Sequence, residues 1–235
     1  MSSTNRGTRG GDGYDDFASP RWVVHRLLEK CELPGGLWYE PCAGAGNIIT
    51  AVNQVRSDVT WTASEIQEKY RESLRAKTET LTMGDVRLVL ARTGGPRNAT
   101  VIPSNPPFAI AEEILRMLLR YLPNAIPVFL QRAGWFESTR SDLFRELKPS
   151  VYALPERPSF RDSISIDPKT GKVKKSSSDS ASYFWWCFDG KGRFGILDST
   201  PAEVRRAEQK ERREAERIPG LFFTRADLRA LKGAK

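Results

Sequence analysis

Short apolar runs alternate with amphipathic stretches between residues 37 and 130 of the chain. The runs have the length of β-strands, whereas the stretches between them space their apolar side chains three or four residues apart, as on one face of a helix. Strand, loop and helix in this repeated order indicate βαβ units around a parallel sheet, and therefore an α/β fold. The pattern predicts strands at 37–40, 59–65, 80–83, 101–102 and 126–130, and helices at 48–52, 67–77 and 110–122.

The segment before this core carries other signals. Residues 1–13 are rich in Gly, Ser, Thr, Arg and Asn and show no periodicity, so we expect a disordered tail. Ser19 is a good N-cap and Pro20 suits the first position of a helix, which predicts an amphipathic helix that ends near Cys31. We therefore place the folded domain at residues 14–199.

Beyond residue 136 the alternation of strand and helix becomes less regular. The pattern predicts a helix at 138–147 and strands at 150–154 and 182–188. The second of these strands is aromatic on both faces, which is typical of a strand that is buried on both sides. Residues 161–182 are polar and basic, and we expect them to form an exposed loop or hairpin that serves as a recognition element.

The last part of the sequence begins with a strong helix-start signal. Thr200 and Glu203 form a capping box, with Pro201 at the first helical position. The helix that they open is polar nearly all round, so it faces solvent or a polar partner. We interpret residues 200–235 as a helical C-terminal extension.

Charge and residue content narrow the range of partners and compartments. The chain has 235 residues and a net charge of +8, and its pI near 9.5 favours an acidic partner such as nucleic acid, although a charge surplus for solubility explains the same number. The three cysteines lack CxxC spacing and there is one histidine, so we expect no metal site and a reducing cytoplasm. The sequence lacks the apolar core of a signal peptide and the roughly 18 apolar residues of a membrane span, so we expect a soluble, cytoplasmic protein.

One candidate for chemistry is the turn Asn105-Pro106-Pro107-Phe108, which follows a predicted strand. The two prolines fix two φ angles and remove two N–H donors, so the Pro106 carbonyl has little freedom to relax. Together with the Asn105 amide oxygen it offers two acceptors beside the aromatic face of Phe108. Such a turn could grip a planar amino group on a ring, and the alternative is a turn that only ends a strand.

The second candidate is a series of acids at the ends of three successive strands. Gly44 and Gly46 would let the backbone approach a ligand, and Glu40 before them repels phosphate and attracts an ammonium group. Glu65 is placed to accept from ribose hydroxyls, and Asp85 from an adenine amino group. Taken singly, each acid is as well explained as a capping or solvated carboxylate. Ammonium, ribose and adenine together describe S-adenosylmethionine better than NAD or ATP.

These two motifs resemble those of a known family. Residues 40–46 look like the cofactor loop of class I S-adenosylmethionine-dependent methyltransferases, and residues 105–108 look like the catalytic motif of their amino-methylating branch, above all the DNA N6-adenine methyltransferases. Residues 14–20 are similar to the segment that closes over the methionine end of the cofactor. The order of the motifs resembles the γ arrangement of these enzymes. Arg157-Pro158-Ser159-Phe160, followed later by Tyr183-Phe184-Trp185-Trp186, is similar to small methyltransferases of phages and mobile elements.

The resemblance implies a Rossmann-like class I methyltransferase fold with a mostly parallel seven-stranded sheet, and S-adenosylmethionine as the cofactor. It implies catalytic roles for Asn105, Pro106, Pro107 and Phe108. The cofactor contacts that it implies are Tyr14, Phe17, Ser19, Pro20, Glu40, Pro41, Ala43, Gly44, Gly46, Asn47, Glu65, Ile66, Asp85, Val86 and Asn105. The partner would be double-stranded DNA with the target adenine flipped out of the stack.

Several alternatives stay open at this point. The same grip serves adenine in structured RNA and a glutamine side chain in protein, and a nucleic-acid-binding module could keep a relic methyltransferase fold. The sequence also leaves open a monomer or a homodimer. Lys169, Lys172, Lys174 and Lys175 are candidates for contacts with the nucleic-acid backbone, although a charged loop is often only solvated.

Overall fold

The computed structural model describes residues 18–136, 138–160, 165–166, 173–174 and 181–215. The helices are α1 Arg21–Lys30, α2 Asn47–Asn53, α3 Arg71–Arg75, α4 Val86–Thr93, α5 Ala111–Tyr121, α6 Ser141–Leu147 and α7 Ala202–Ala215. The strands are β1 Gly36–Glu40, β2 Val59–Glu65, β3 Thr80–Met83, β4 Val101–Ser104, β5 Ile126–Arg132, β6 Ser150–Ala153, β7 Ser165–Ile166, β8 Val173–Lys174, β9 Tyr183–Cys187 and β10 Phe194–Ile196. Short 3₁₀ turns lie at Glu68–Tyr70, Ala133–Phe136 and Ser138–Arg140.

Eight of the strands form one sheet in the order β10-β6-β9-β5-β4-β1-β2-β3. Strand β9 is antiparallel to β5 and β6, and the other neighbouring strands are parallel. From β1 the chain adds β2 and β3 on one side of the sheet, and it then crosses back to add β4 and β5 on the other side. This Rossmann-like arrangement confirms the predicted fold class. It also creates a crevice between the loops after β1 and β4, where open α/β sheets bind ligands.

The two faces of the sheet are covered by separate apolar clusters, as expected for parallel strands. Val128, Leu130 and Trp185 belong to the cluster that includes α1 and α2. Phe129 and Trp186 belong to the cluster that includes α5 and α6. Because successive side chains of a strand point to opposite faces, β5 and β9 each contribute to both clusters. The prediction that the aromatic strand near residue 185 is buried on both sides is therefore confirmed.

Two elements of the structure were not predicted. Strand β10 is the eighth strand of a sheet for which seven were expected, and it lies at the edge with Phe194 and Ile196 exposed. At three residues, the strand is shorter than the four to eight residues over which alternation marks a strand in a sequence. Helix α4 follows Asp85, whose side chain accepts a hydrogen bond from the Arg87 backbone N–H and caps the helix.

The start of α1 differs from the prediction. Pro20 has an extended backbone, with ψ of 143°, and it occupies the N-cap position, so the helix begins at Arg21. No side chain caps this helix by a hydrogen bond, and Ser19 is buried instead. The helix expected at 67–77 is shorter as well, because a 3₁₀ turn takes up its first residues and α3 follows.

A second unit includes, among the described residues, 165–166, 173–174 and 201–215. Within it the structure describes the antiparallel pair β7 and β8, which agrees with the hairpin expected in this segment, and the helix α7. The predicted boundaries of the domain and of the extension remain predictions. Across the described part of the chain, no helix has both the length and the apolar composition needed to cross a membrane.

Adjacent tryptophans on β9 allow a matched test of a hydrogen bond in the core. The Trp185 indole N–H donates to the Val23 carbonyl over 3.0 Å, whereas the buried Trp186 N–H has no partner among the described residues. We expect Trp185→Phe to lower the free energy of unfolding by about 0.5–1.5 kcal/mol more than Trp186→Phe, because only the first change removes a hydrogen bond that the folded protein makes. Urea denaturation of both variants measures the difference, and equal losses would contradict this account.

Candidate active site

The loop after β1 is held against the end of β2 by backbone and side-chain hydrogen bonds. The Ala43 N–H donates to the Ser64 carbonyl over 3.1 Å, and the buried Ser64 hydroxyl donates to the Pro41 carbonyl over 2.9 Å. The Gly44 N–H donates to Glu65 Oε2 over 2.7 Å. These bonds fix the backbone of the loop before any ligand arrives, so little ordering is needed on binding.

Gly46 is required by both conformation and space. Its φ is +76°, in the left-handed region, and a Cβ at this position would lie 3.0 Å from Leu74 Cδ2 and 3.1 Å from Lys77 Cδ. Lys77 lies this close because its Nζ donates to the Ala45 carbonyl over 2.7 Å. The loop is thus held on one side by β2 and on the other by the segment that follows α3.

Two buried carboxyl groups lie where β1 and β2 end. Glu40 is 2% exposed, and its Oε2 has no hydrogen-bond partner among the described residues. Burial, and next the nearby charge of Glu65, raise the pKa of Glu40 well above the ordinary glutamate value. Glu65 is 4% exposed, and its two oxygens accept from the backbone N–H groups of Gly44 and Gln67, each over 2.7 Å. A cation beside Glu40 would therefore relieve an unfavourable arrangement.

The acid after β3 is paired with a basic side chain. Asp85 Oδ2 accepts from an Arg87 guanidinium nitrogen over 2.5 Å, and this bond is the main reason why the pKa of Asp85 lies below its usual value. Arg87 also donates to Glu113 over 3.2 Å. The charge of Arg87 is therefore matched by two carboxylates.

The turn after β4 is tied to β5 and β9. The carbonyl of the buried Pro106 accepts from Gln131 Nε2 over 3.3 Å. The Phe108 ring lies beneath the Arg132 guanidinium, with 4.9 Å between the guanidinium carbon and the ring centre, and its centroid is 6.1 Å from that of Tyr183. Two successive residues of β5 thus contact Pro106 and Phe108 of this turn.

A cavity of about 460 Å³ lies between these loops, within the usual size range of small-molecule sites. Its walls are formed by residues at or just after the ends of β1, β2, β3 and β4, and by Ala18 and Ser19, which precede α1. Among the predicted site residues, those that line it are Ser19, Glu40, Pro41, Ala43, Gly44, Asn47, Glu65, Ile66, Asp85, Val86, Asn105, Pro106 and Pro107. The fold therefore gathers at one cavity residues that are far apart in the sequence.

Other predicted residues are placed elsewhere. Within the described chain, Pro20, Gly46 and Phe108 are not part of the cavity lining. Tyr14 and Phe17 lie outside the described residues. Lys169, Lys172 and Lys175 also lie outside them, and only the backbone of Lys174 is described, in β8.

The sequence analysis missed several residues of the site, among them Gln67, Arg87 and Gln131. Gln67 and Arg87 line the cavity, and Gln131 contacts Pro106 from outside the lining. Gln67 lies two residues after Glu65, and Arg87 lies two residues after Asp85. Their closeness to these strand-end acids is a signal that could have identified both. No local pattern points to Gln131, since its contact is 25 residues away in the sequence.

Comparison with known proteins identifies likenesses of fold. No protein-family model matches the chain, and no curated protein matches it. A modification subunit, assigned to a type I restriction enzyme of Vibrio vulnificus, is 16% identical over 89% of this chain and 54% of its own, with a TM-score of 0.49. A protein predicted to be an O-methyltransferase, from Agrobacterium tumefaciens, is 12% identical over 82% of this chain and 96% of its own, with a TM-score of 0.48.

A dimethyladenosine transferase from Plasmodium falciparum is 13% identical over 72% of this chain and 62% of its own, with a TM-score of 0.42. This chain spans about half the length of the Vibrio subunit, 54%. Identities this low describe a shared fold only, and we draw no argument about activity from them.

The buried Glu40 gives a prediction about pH. Since its pKa is raised in the folded protein, the folded state keeps a proton that the unfolded chain releases, and stability falls as the pH rises above the ordinary glutamate pKa of about 4.3. We expect Glu40→Gln to remove this contribution, up to about 1.4 kcal/mol per pH unit below the folded-state pKa. Urea denaturation across this pH range, without cofactor, measures it. The exposed Glu79→Gln variant serves as the control, and a Glu40→Gln slope equal to that of wild type would contradict the assignment.

Proposed function

We propose that this protein transfers a methyl group from S-adenosylmethionine to the exocyclic N6 amino group of adenine in DNA. The observation that carries the proposal is that the Asn105-Pro106 turn and the acidic loop after β1 line the same cavity. One element has the acceptors for an amino group, and the other has the charge for a cationic cofactor.

The chemistry of the cavity fits S-adenosylmethionine. The carboxyl groups of Glu40, Glu65 and Asp85 line it, and Arg87, which also lines it, is already paired with Asp85 and Glu113. Such a surface disfavours phosphate and favours positive charge. S-adenosylmethionine carries a sulfonium and an ammonium group and no phosphate, and when bound it supplies an electrophilic methyl group.

Residues at the ends of three strands would each bind a different part of the cofactor. Among the described residues, one oxygen of Glu40 has no hydrogen-bond partner, and a nearby ammonium group would favour the ionised form of Glu40. Each oxygen of Glu65 accepts one backbone N–H, and a carboxylate has further lone pairs for ribose hydroxyls. Asp85 would accept from the adenine amino group while Arg87 keeps it ionised.

The protein's part in the reaction would be to hold and orient the amino group. The lone pair of an adenine amino group is delocalised into the ring, which makes its nitrogen a poor nucleophile. Accepting its two N–H groups at the Asn105 amide oxygen and the Pro106 carbonyl favours a more tetrahedral nitrogen, whose lone pair can then be aimed at the methyl carbon. Positioning and fixed dipoles of this kind supply much of the rate in enzymes that need no covalent intermediate.

The choice of DNA rests on other features. The net charge of +8 favours a nucleic acid over a protein substrate, and the order of the motifs resembles that of DNA N6-adenine methyltransferases. An adenine inside a duplex cannot reach a cavity of this kind, so the base would be flipped out. The lysines of residues 169–175 remain candidates for contacts with the phosphates.

One experiment separates this proposal from the alternatives. The protein is incubated with methyl-labelled S-adenosylmethionine and with duplex DNA, structured RNA or total cell protein, and the labelled product is identified after digestion. We expect N6-methyladenine in DNA. Label in RNA or on glutamine would identify that molecule, and not DNA, as the substrate. Cofactor binding without transfer to any substrate would indicate a binding module. A failure to bind S-adenosylmethionine would overturn the proposal.

A first prediction concerns the turn after β4. Asn105→Ala should keep most of the cofactor affinity, because Asn105 is one of many implied cofactor contacts. The rate of methyl transfer should fall on the order of 10²-fold or more, because an acceptor for the amino group is lost. Titration calorimetry and single-turnover transfer measure the two quantities. Asn98→Ala, at an exposed position, is the matched control. Wild-type turnover in Asn105→Ala would rule out this role for the turn.

A second prediction assigns the two ends of the cofactor. Glu40→Gln should weaken S-adenosylhomocysteine binding and spare adenosine, whereas Glu65→Gln should weaken both, each by on the order of 10- to 100-fold for a lost bond to a charged group. Binding isotherms of the two ligands test this, with the exposed Glu79→Gln as the control. If neither variant changes either affinity, the two acids are structural only.

A further inference from the structure

The Pro106 carbonyl depends on a hydrogen-bond donor from outside the turn. Neither Pro106 nor Pro107 has a backbone N–H, so these two residues cannot donate a hydrogen bond to any carbonyl in the turn. Pro106 is buried, and a buried carbonyl without a partner would be costly. Its partner is the side chain of Gln131, whose Nε2 donates over 3.3 Å.

The sheet brings Gln131 to this place. Strands β4 and β5 are parallel neighbours, and Ser104 is in register with Phe129. Pro106 lies two residues after Ser104, and Gln131 lies two residues after Phe129, so Gln131 is beside the turn. Gln131 is itself paired with Phe184 of β9 and is 1% exposed, which leaves its side chain little room to choose another partner.

We propose that Gln131 is a positioning residue that aims the Pro106 carbonyl at the amino group of the substrate. The inference rests on the proposed function, since it concerns the acceptor that the reaction would use. A carbonyl oxygen has two lone pairs, so the bond from Gln131 leaves one of them for the substrate N–H. The prolines restrict the turn, and Gln131 determines which way the remaining lone pair faces.

A purely structural role for Gln131 would give different results. A hydrogen bond that only stabilises the fold would change the free energy of unfolding and leave the rate of the transfer step alone. A positioning role changes kcat, because a small error in the placement of an acceptor is felt chiefly in the transition state.

Two variants separate these possibilities. Gln131→Met keeps the approximate size and removes the donor, and we expect kcat to fall on the order of tenfold while the KM values for cofactor and DNA are unchanged. Gln131→Glu places a carboxyl opposite the carbonyl. When protonated it donates a hydrogen bond, and when ionised it repels, so kcat should recover as the pH falls through the pKa of this buried acid. Neither wild type nor Gln131→Met should show that recovery.

Ser150→Ala is the matched control for the loss of a buried hydrogen bond. Ser150 is 0% exposed, it begins β6, and its hydroxyl donates to Asp189 over 2.8 Å at the end of the strand opposite the cavity. It should lower stability without lowering kcat. A wild-type kcat in Gln131→Met, or a Gln131→Glu profile that matches wild type, would overturn the proposal.

A structural readout keeps the inference independent of the substrate. Crystal structures of wild type and Gln131→Met should differ in the orientation of the Pro106 peptide, and an unchanged carbonyl would contradict the positioning role. If wild-type protein methylates no DNA, the proposed function fails, and these two structures still decide whether Gln131 orients the carbonyl.

Discussion

The site depends on the pairing of β1 with β4 at the centre of the sheet. Trp38 is in register with Val101, and both strands are buried at this point, so their carboxyl ends leave the sheet side by side. The loop from Glu40 and the turn from Ser104 therefore open on the same crevice. A different strand order would separate the acidic loop from the acceptors of the turn, although every motif in the sequence would be unchanged.

This arrangement places an unfavourable group in the core. Glu40 is buried beside Glu65, and one of its oxygens has no partner among the described residues. The surrounding loop is nevertheless fixed in place, because Ser64, Glu65 and Lys77 hold its backbone by hydrogen bonds. Fixed surroundings allow such a destabilised group to persist. A bound ligand that carries positive charge would stabilise the ionised Glu40 and would therefore stabilise the folded protein.

Local patterns predicted the regular core well. Strands β2 and β3 lie at the predicted bounds, since each alternates apolar with polar side chains. Helix α4 was missed because Asp85 was interpreted as a ligand, whereas it also caps a helix. Strand β10 was missed because it is only three residues long, too short to form a recognisable pattern, and its position is defined by pairing with β6.

In the site, too, local patterns reveal some residues and long-range contacts determine others. Residues that would touch a ligand, such as Glu40 and Asn105, lie where strands end, and a strand followed by a polar turn can be recognised in a sequence. Residues that hold them act across the sheet: Gln131 reaches the Pro106 carbonyl from the next strand, 25 residues away. Such a contact depends on strand order and register, which a local pattern does not contain. Supporting residues of this kind become visible only when the chain is folded, and they fix the geometry on which the chemistry depends.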